Sequence, residues 1–98
     1  YFPNITVGWD ASPRTNQSEP WVGGGGADYP YMNIVVNNTP ENFKKVLEMT
    51  KERLLADPNG PRALTINCWN EWTEGSCLEP DTLYGMAYLD ALKEVFGR

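Results

Sequence analysis

The first pattern along the chain has a period of two. Ile5-Thr6-Val7-Gly8-Trp9-Asp10 alternates apolar with small or polar residues and predicts a strand. A second strand is predicted over 63–69. Between them the period lengthens. Phe43, Val46, Leu47 and Leu54 recur at helical spacing, so one stripe is expected to be buried. Thr39-Pro40-Glu41 starts that helix with an N-cap, a proline at the first position and an acid in the first turn. Asp57-Pro58-Asn59-Gly60 stops it. A further helix is predicted over 83–96, with Tyr84, Ala87, Tyr88, Ala91 and Val95 on one face and Gly97 as terminator. Residues 11–39 form a long irregular stretch with Pro13, Pro20, Pro30 and a glycine run at 23–26. Residues 33–36 are the candidate for a short strand inside it. A connection of this length is usually functional or disordered, and the glycine run also reads as a plain flexible tip.

The order strand, loop, helix, strand, loop, helix is a pair of βα units and implies a parallel sheet. Ile5, Val7 and Trp9 share a face opposite Thr6, Gly8 and Asp10; Leu64, Ile66 and Cys68 share one opposite Thr65, Asn67, Trp69 and Glu71. Each strand thus has an apolar face for covering helices and a polar face ending in an acid. In a (β/α)8 barrel the polar face points inward, and the C-terminal strand ends carry the chemistry. Two such units cannot close a barrel. The expected fold is therefore α/β: the last βα units of a (β/α)8 TIM barrel with parallel strands. Residues 1–98 would be a single fragment of that larger catalytic domain. A start at Tyr1 rather than Met, with no leader-like segment, fits the same expectation. Unpaired strand edges and an uncovered polar face predict that the isolated chain is marginally stable and inactive.

Composition narrows the function classes. At 41% hydrophobic residues, with four Trp, five Tyr and three Phe, the chain is globular rather than disordered. No apolar run approaches the roughly 20 residues that span a bilayer. A net charge of −5 argues against a nucleic-acid partner, because phosphates call for clustered Lys and Arg. The acids are also unevenly placed. No basic residue lies between Arg62 and Lys93, yet Glu71, Glu74, Glu79, Asp81 and Asp90 do. Cys68 and Cys77 make no disulfide framework and, without any His, suggest no zinc site. Cys68 reads as a small buried hydrophobe, and neither cysteine fixes the compartment. Asn4, Asn16 and Asn37 begin glycosylation tripeptides, which matter only in a eukaryotic secretory pathway.

The richest chemistry lies in Asn67-Cys68-Trp69-Asn70-Glu71-Trp72-Thr73-Glu74-Gly75, which sets two carboxylates three residues apart beside two tryptophans. Paired carboxylates can protonate a glycosidic oxygen and handle the positive charge developing at the sugar carbon. Flat aromatic faces pack against the C–H face of a sugar ring. Glu71 and Glu74 are the candidate catalytic residues; Asp10, Arg14, Trp69, Asn70, Trp72 and Glu79 are the candidate substrate-binding ones. Each has a plainer reading. The two glutamates read as ordinary surface charges at a strand end, Asp10 and Arg14 as an ion pair with each other. Trp69 and Trp72 also read as core residues, and Glu79 as a surface charge. Tyr84 and Tyr88, on the buried helix stripe, read as core.

The stretch 69–75, followed by Leu78-Glu79-Pro80-Asp81 and Tyr84-Gly85-Met86-Ala87-Tyr88-Leu89, resembles the C-terminal end of the WbsX-type proteins. These are relatives of glycoside hydrolase family 99 and are often labelled glycosyltransferases. Gly8-Trp9-Asp10 with Pro13-Arg14 resembles their upstream motif. The resemblance implies a (β/α)8 barrel. It also implies that Glu71 acts at the sugar 2-hydroxyl and Glu74 is the general acid/base at the glycosidic oxygen. Configuration would be retained through an anhydro-sugar, with no metal or cofactor. The sequence departs at Thr73, where family 99 has His, so a mannose-type substrate does not follow. As a proton donor Glu74 is expected to sit partly buried beside Trp72, near a second carboxylate.

The expected partners are a carbohydrate substrate and the missing N-terminal βα units of the same barrel. The leading function is cleavage of glycosidic bonds in a polysaccharide or oligosaccharide. A glycosyltransferase of surface-polysaccharide assembly and a non-catalytic sugar-binding or structural fragment are the alternatives. Transfer from a nucleotide sugar needs a phosphate-binding element, and the glycine run lacks the strand-to-helix setting and lysine of one.

Overall fold

The structure, a computed structural model, describes residues 2–23 and 26–97; Gly24 and Gly25, the middle of the glycine run, lie outside the described residues. Its regular elements are β1 (Asn4–Thr6), α1 (Pro40–Ala56), β2 (Thr65–Asn67), β3 (Asn70–Glu71), β4 (Ser76–Cys77) and α2 (Ala87–Phe96). Two 3₁₀ turns, Ser12–Arg14 and Trp72–Glu74, complete it. β1 and β2 pair in parallel, with Asn4, Ile5 and Thr6 opposite Thr65, Ile66 and Asn67.

α1 begins where its start signals lie. The Thr39 hydroxyl accepts the Asn42 N–H at 3.3 Å, satisfying one free donor of the first turn. Phe43 and Leu47 are buried, Leu47 at 0% exposure, whereas Val46 is exposed, so the buried stripe is narrower than the spacing predicts. α2 starts at Ala87 rather than at 83. The cause is local: the Asp81 carboxylate accepts the N–H groups of Leu83 and Tyr84 at 3.0 and 2.6 Å, holding a turn in place of a first helical turn. Tyr84 still reaches the core from outside the helix, edge-on to Tyr88 at 5.7 Å.

Ile5, Val7, Phe43, Leu47, Tyr88, Ala91 and Val95 form the core, with Leu64, Ile66, Leu78 and Leu92 packed around them. Phe43 meets Tyr88 edge-on at 5.3 Å, the arrangement favoured by the ring quadrupoles. Tyr88 donates its hydroxyl to the Asn38 carbonyl, and burial pushes its pKa up to about 12.

Several expectations are corrected. β1 is shorter than 5–10: the Thr6 hydroxyl accepts the Gly8 N–H at 3.1 Å and turns the chain out of the ladder after the Val7–Asn67 rung. Trp9 therefore leaves the Ile5–Val7 face and packs 6.5 Å from the Tyr29 ring instead. Glu71 is not on β2, which ends at Asn67; it lies on β3, paired antiparallel with Ser76 of β4. Residues 33–36 form no strand and are tied to the sheet end by the Val35 N–H bond to the Trp9 carbonyl at 2.8 Å. Cys68 is half-buried, its thiol directed at the Ser76 carbonyl 3.1 Å away.

Candidate active site

The segment after β1 is stitched to the β3–β4 hairpin by backbone and one buried hydroxyl. Ser76, fully buried, donates to the Gly8 carbonyl at 2.5 Å and accepts from the Asn67 amide at 3.2 Å. The Asp10 N–H donates to the Glu74 carbonyl at 2.7 Å. A Cβ on Gly8 would lie 2.5 Å from the Gly75 carbonyl oxygen, so the approach requires glycine there. Gly75 closes the 3₁₀ turn at φ +62°, a region glycine enters without steric cost. These ties bring the turn Ser12–Arg14 against the turn Trp72–Glu74.

Arg14 occupies the junction. Its Nη2 meets Glu71 Oε1 at 2.8 Å, its Nη1 lies 3.5 Å from Glu74 Oε1, and its Nε donates to the Thr73 hydroxyl at 2.7 Å. Nη1 also donates to the Tyr29 hydroxyl at 2.7 Å, and that hydroxyl donates on to Glu74 Oε1 at 3.0 Å. Thr73 in turn donates to Glu71 Oε1 at 2.9 Å. The Tyr29 bond above all, with the charges of Glu74 and Glu71, holds the guanidinium above the usual arginine value against partial desolvation. One rigid fork thus collects both carboxylates, a geometry that suits Arg and not Lys.

The carboxylates are held asymmetrically. Among the described residues, every hydrogen bond to the carboxylate groups of Glu71 and Glu74 ends on Oε1. No described residue hydrogen-bonds either Oε2. Glu74 is the more enclosed, with its side chain 18% exposed against 42% for Glu71.

Of the sequence candidates, Arg14, Glu71 and Glu74 come together, and Asp10 joins them through its backbone. Asp10 does not pair with Arg14; its Oδ1 accepts the Ser12 N–H at 2.9 Å and the Ser12 hydroxyl at 2.5 Å. Trp72 does not shield Glu74 through its indole N–H, which donates to Glu79 Oε2 at 3.0 Å and makes a separate pair on the hairpin. Glu79 therefore orients Trp72. Trp69 and Trp72 are both exposed, not core. Asn70 is exposed on β3. Tyr29 is the site residue that sequence reasoning missed: it sits in the irregular stretch, where no periodicity marks it. Thr73 enters as the hydroxyl bridge between Arg14 and Glu71.

Among the described residues no group of three His, Cys, Asp or Glu is placed to hold a metal ion. Burial raises the Cys77 thiol, which disfavours the reactive thiolate. No described helix is long and apolar enough to cross a membrane.

The chain matches the family described as Glycosyltransferase WbsX over residues 1–92, a span that includes every residue of the Arg14 cluster. It belongs to the WbsX family. Two proteins, each described as Uncharacterized protein WxcX, from two strains of Xanthomonas campestris pv. campestris, are 35% identical to it over 98 residues. The match covers 99% of this chain and 12% of theirs, so the chain spans about an eighth of the length of these WbsX-like relatives. No solved structure matches.

Proposed function

We propose that this WbsX-family chain carries the catalytic acids of a carbohydrate-active enzyme that cleaves glycosidic bonds in a polysaccharide or oligosaccharide. In this reading the chain forms the last βα units of a (β/α)8 barrel, the remaining units coming from the same protein. The carrying observation is the single guanidinium that gathers Glu71 and Glu74 by Oε1 while leaving both Oε2 atoms unclaimed. Carboxylates held by a rigid frame are what paired-carboxylate catalysis requires.

The steps balance with those two groups. Glu71 takes the proton of the sugar 2-hydroxyl as that oxygen bonds to the anomeric carbon. Glu74 gives its proton to the departing glycosidic oxygen as the old bond breaks. Water then opens the anhydro-sugar: Glu74 takes a water proton, and Glu71 returns its proton to the 2-oxygen. The family description favours a second reading, transfer of a sugar to an acceptor. The same anhydro-sugar opened by an alcohol instead of water gives that outcome.

The test uses the full-length protein, purified with Glu71→Gln or Glu74→Gln and incubated with a panel of bacterial oligosaccharides. Each variant is expected to lose about 10²- to 10⁴-fold in turnover with folding unchanged. Retention of more than about a tenth of the activity by both, far outside that range, rejects the assignment. Growth of longer saccharides, in place of shortened ones, selects transfer.

A further inference from the structure

An open cleft of ≈ 280 Å³ is lined by Asp10, Ser12, Trp21, Asn33 and Ile34, and its Asp10 is bonded through the backbone to Glu74. Its walls are pinned from three directions. Asp10 and Ser12 are locked to each other by the two bonds onto Asp10 Oδ1. Trp21, 46% exposed, leans on the Tyr31 ring at 5.7 Å, and the Tyr31 hydroxyl accepts the Asn16 N–H at 3.3 Å. Ile34 is held by its neighbour Val35, whose N–H bonds the Trp9 carbonyl.

The cleft and the acid pair share this framework. Asp10 lines the cleft with its side chain and holds the Glu74 carbonyl with its N–H. Trp9 anchors the Val35 strap at its carbonyl and packs its ring on Tyr29, the partner of Glu74. The cleft is thus tied to the acid pair through the Glu74 backbone and through Tyr29.

We infer that this cleft is a saccharide subsite, taking a neutral sugar ring of the chain next to the unit that Glu71 and Glu74 act upon. Trp21 supplies a flat apolar platform for the C–H face of the ring. Asp10, Ser12 and Asn33 supply oriented acceptors and donors for hydroxyls on its rim. The chemistry also says what does not fit. A phosphorylated or uronic unit would bring its charge against the Asp10 carboxylate, so a neutral ring is selected. This inference rests on the carbohydrate reading above.

The experiment separates the two. Full-length protein carrying Glu74→Gln, which stops turnover but keeps the subsite, is applied to an array of defined bacterial oligosaccharides. It is expected to retain neutral tri- and tetrasaccharides. Adding Trp21→Ala should weaken these about tenfold, equivalent to about 1.4 kcal/mol. Trp21→Phe, which keeps a platform, should recover part of the loss, and circular dichroism shows that each variant is folded. Should Asn33→Ala and Trp21→Ala both bind as the parent does, or should no glycan be retained at all, the subsite is overturned. If Trp21→Ala loses trisaccharides while Glu71→Gln and Glu74→Gln keep full turnover, the subsite stands and the acid assignment falls.

Discussion

The two halves of this molecule are held by different forces. The half made of β1, β2, α1 and α2 is held by burial: Leu47 is fully enclosed, and Phe43 and Tyr88 meet edge-on around it. The half made of the irregular stretch 11–39 and the hairpin β3–β4 buries little. It is held by hydrogen bonds that link residues far apart in sequence, as between Arg14 and Glu71 or Tyr29 and Glu74. Burial sums over area, so the first half tolerates the loss of a polar contact. A hydrogen-bonded fork has no such reserve, since moving a reacting group by about 1 Å can cost 10²-fold in rate. Stability resides in one half and geometry in the other.

Substitutions break the comparison or sharpen it. The largest effect is expected at the centre of the core. Leu47→Ala in the full-length protein should cost about 2–5 kcal/mol in urea unfolding, with turnover per folded molecule unchanged. A cost below about 1 kcal/mol would mean that the site half shares the load. Arg14→Gln reverses the pattern: turnover falls by about 10²-fold as the two carboxylates lose their common frame. Its melting curve should barely move, because exposed ion pairs add little stability. Unfolding of the Arg14 variant at room temperature would show that the site half is itself a folding unit. The smallest effect concerns pH. The folded Tyr88 value, about 12, lies above the ordinary 10.0, so its stabilisation is complete below pH 10.0 and is lost as pH rises through about 12. Tyr88→Phe should flatten that alkaline loss in a pH series of unfolding midpoints. Identical wild-type and variant profiles would remove Tyr88 as the cause.

The same division explains what was legible in the sequence. Periodicity writes burial into a chain, so α1, the core positions Phe43, Leu47, Tyr88, Ala91 and Val95 and the Ile5–Val7 pair could be read directly. The start of α2 could not. Tyr84 keeps helical spacing and core contact while the Asp81 turn denies it a helical backbone. β3 and β4, two residues each, are too short for any alternation to show. In the site, Glu71, Glu74 and Arg14 were found by residue type and motif, yet their partners were not. Arg14 was expected to meet Asp10 or a sugar, and it meets both glutamates, because the Ser76–Gly8 and Asp10–Glu74 bonds bring the two turns together. Nothing in the local sequence encodes that meeting. Tyr29 left no trace beyond being an aromatic residue in an irregular stretch.

The bonds from Ser76 to Gly8 and from Asp10 to Glu74 lie outside the long stretch 15–36. In a lineage, that stretch can be lengthened, shortened or exchanged while the pair is inherited intact. One condition travels with every such exchange: the incoming loop must return a hydroxyl to the place of Tyr29, or leave Glu74 with Arg14 alone.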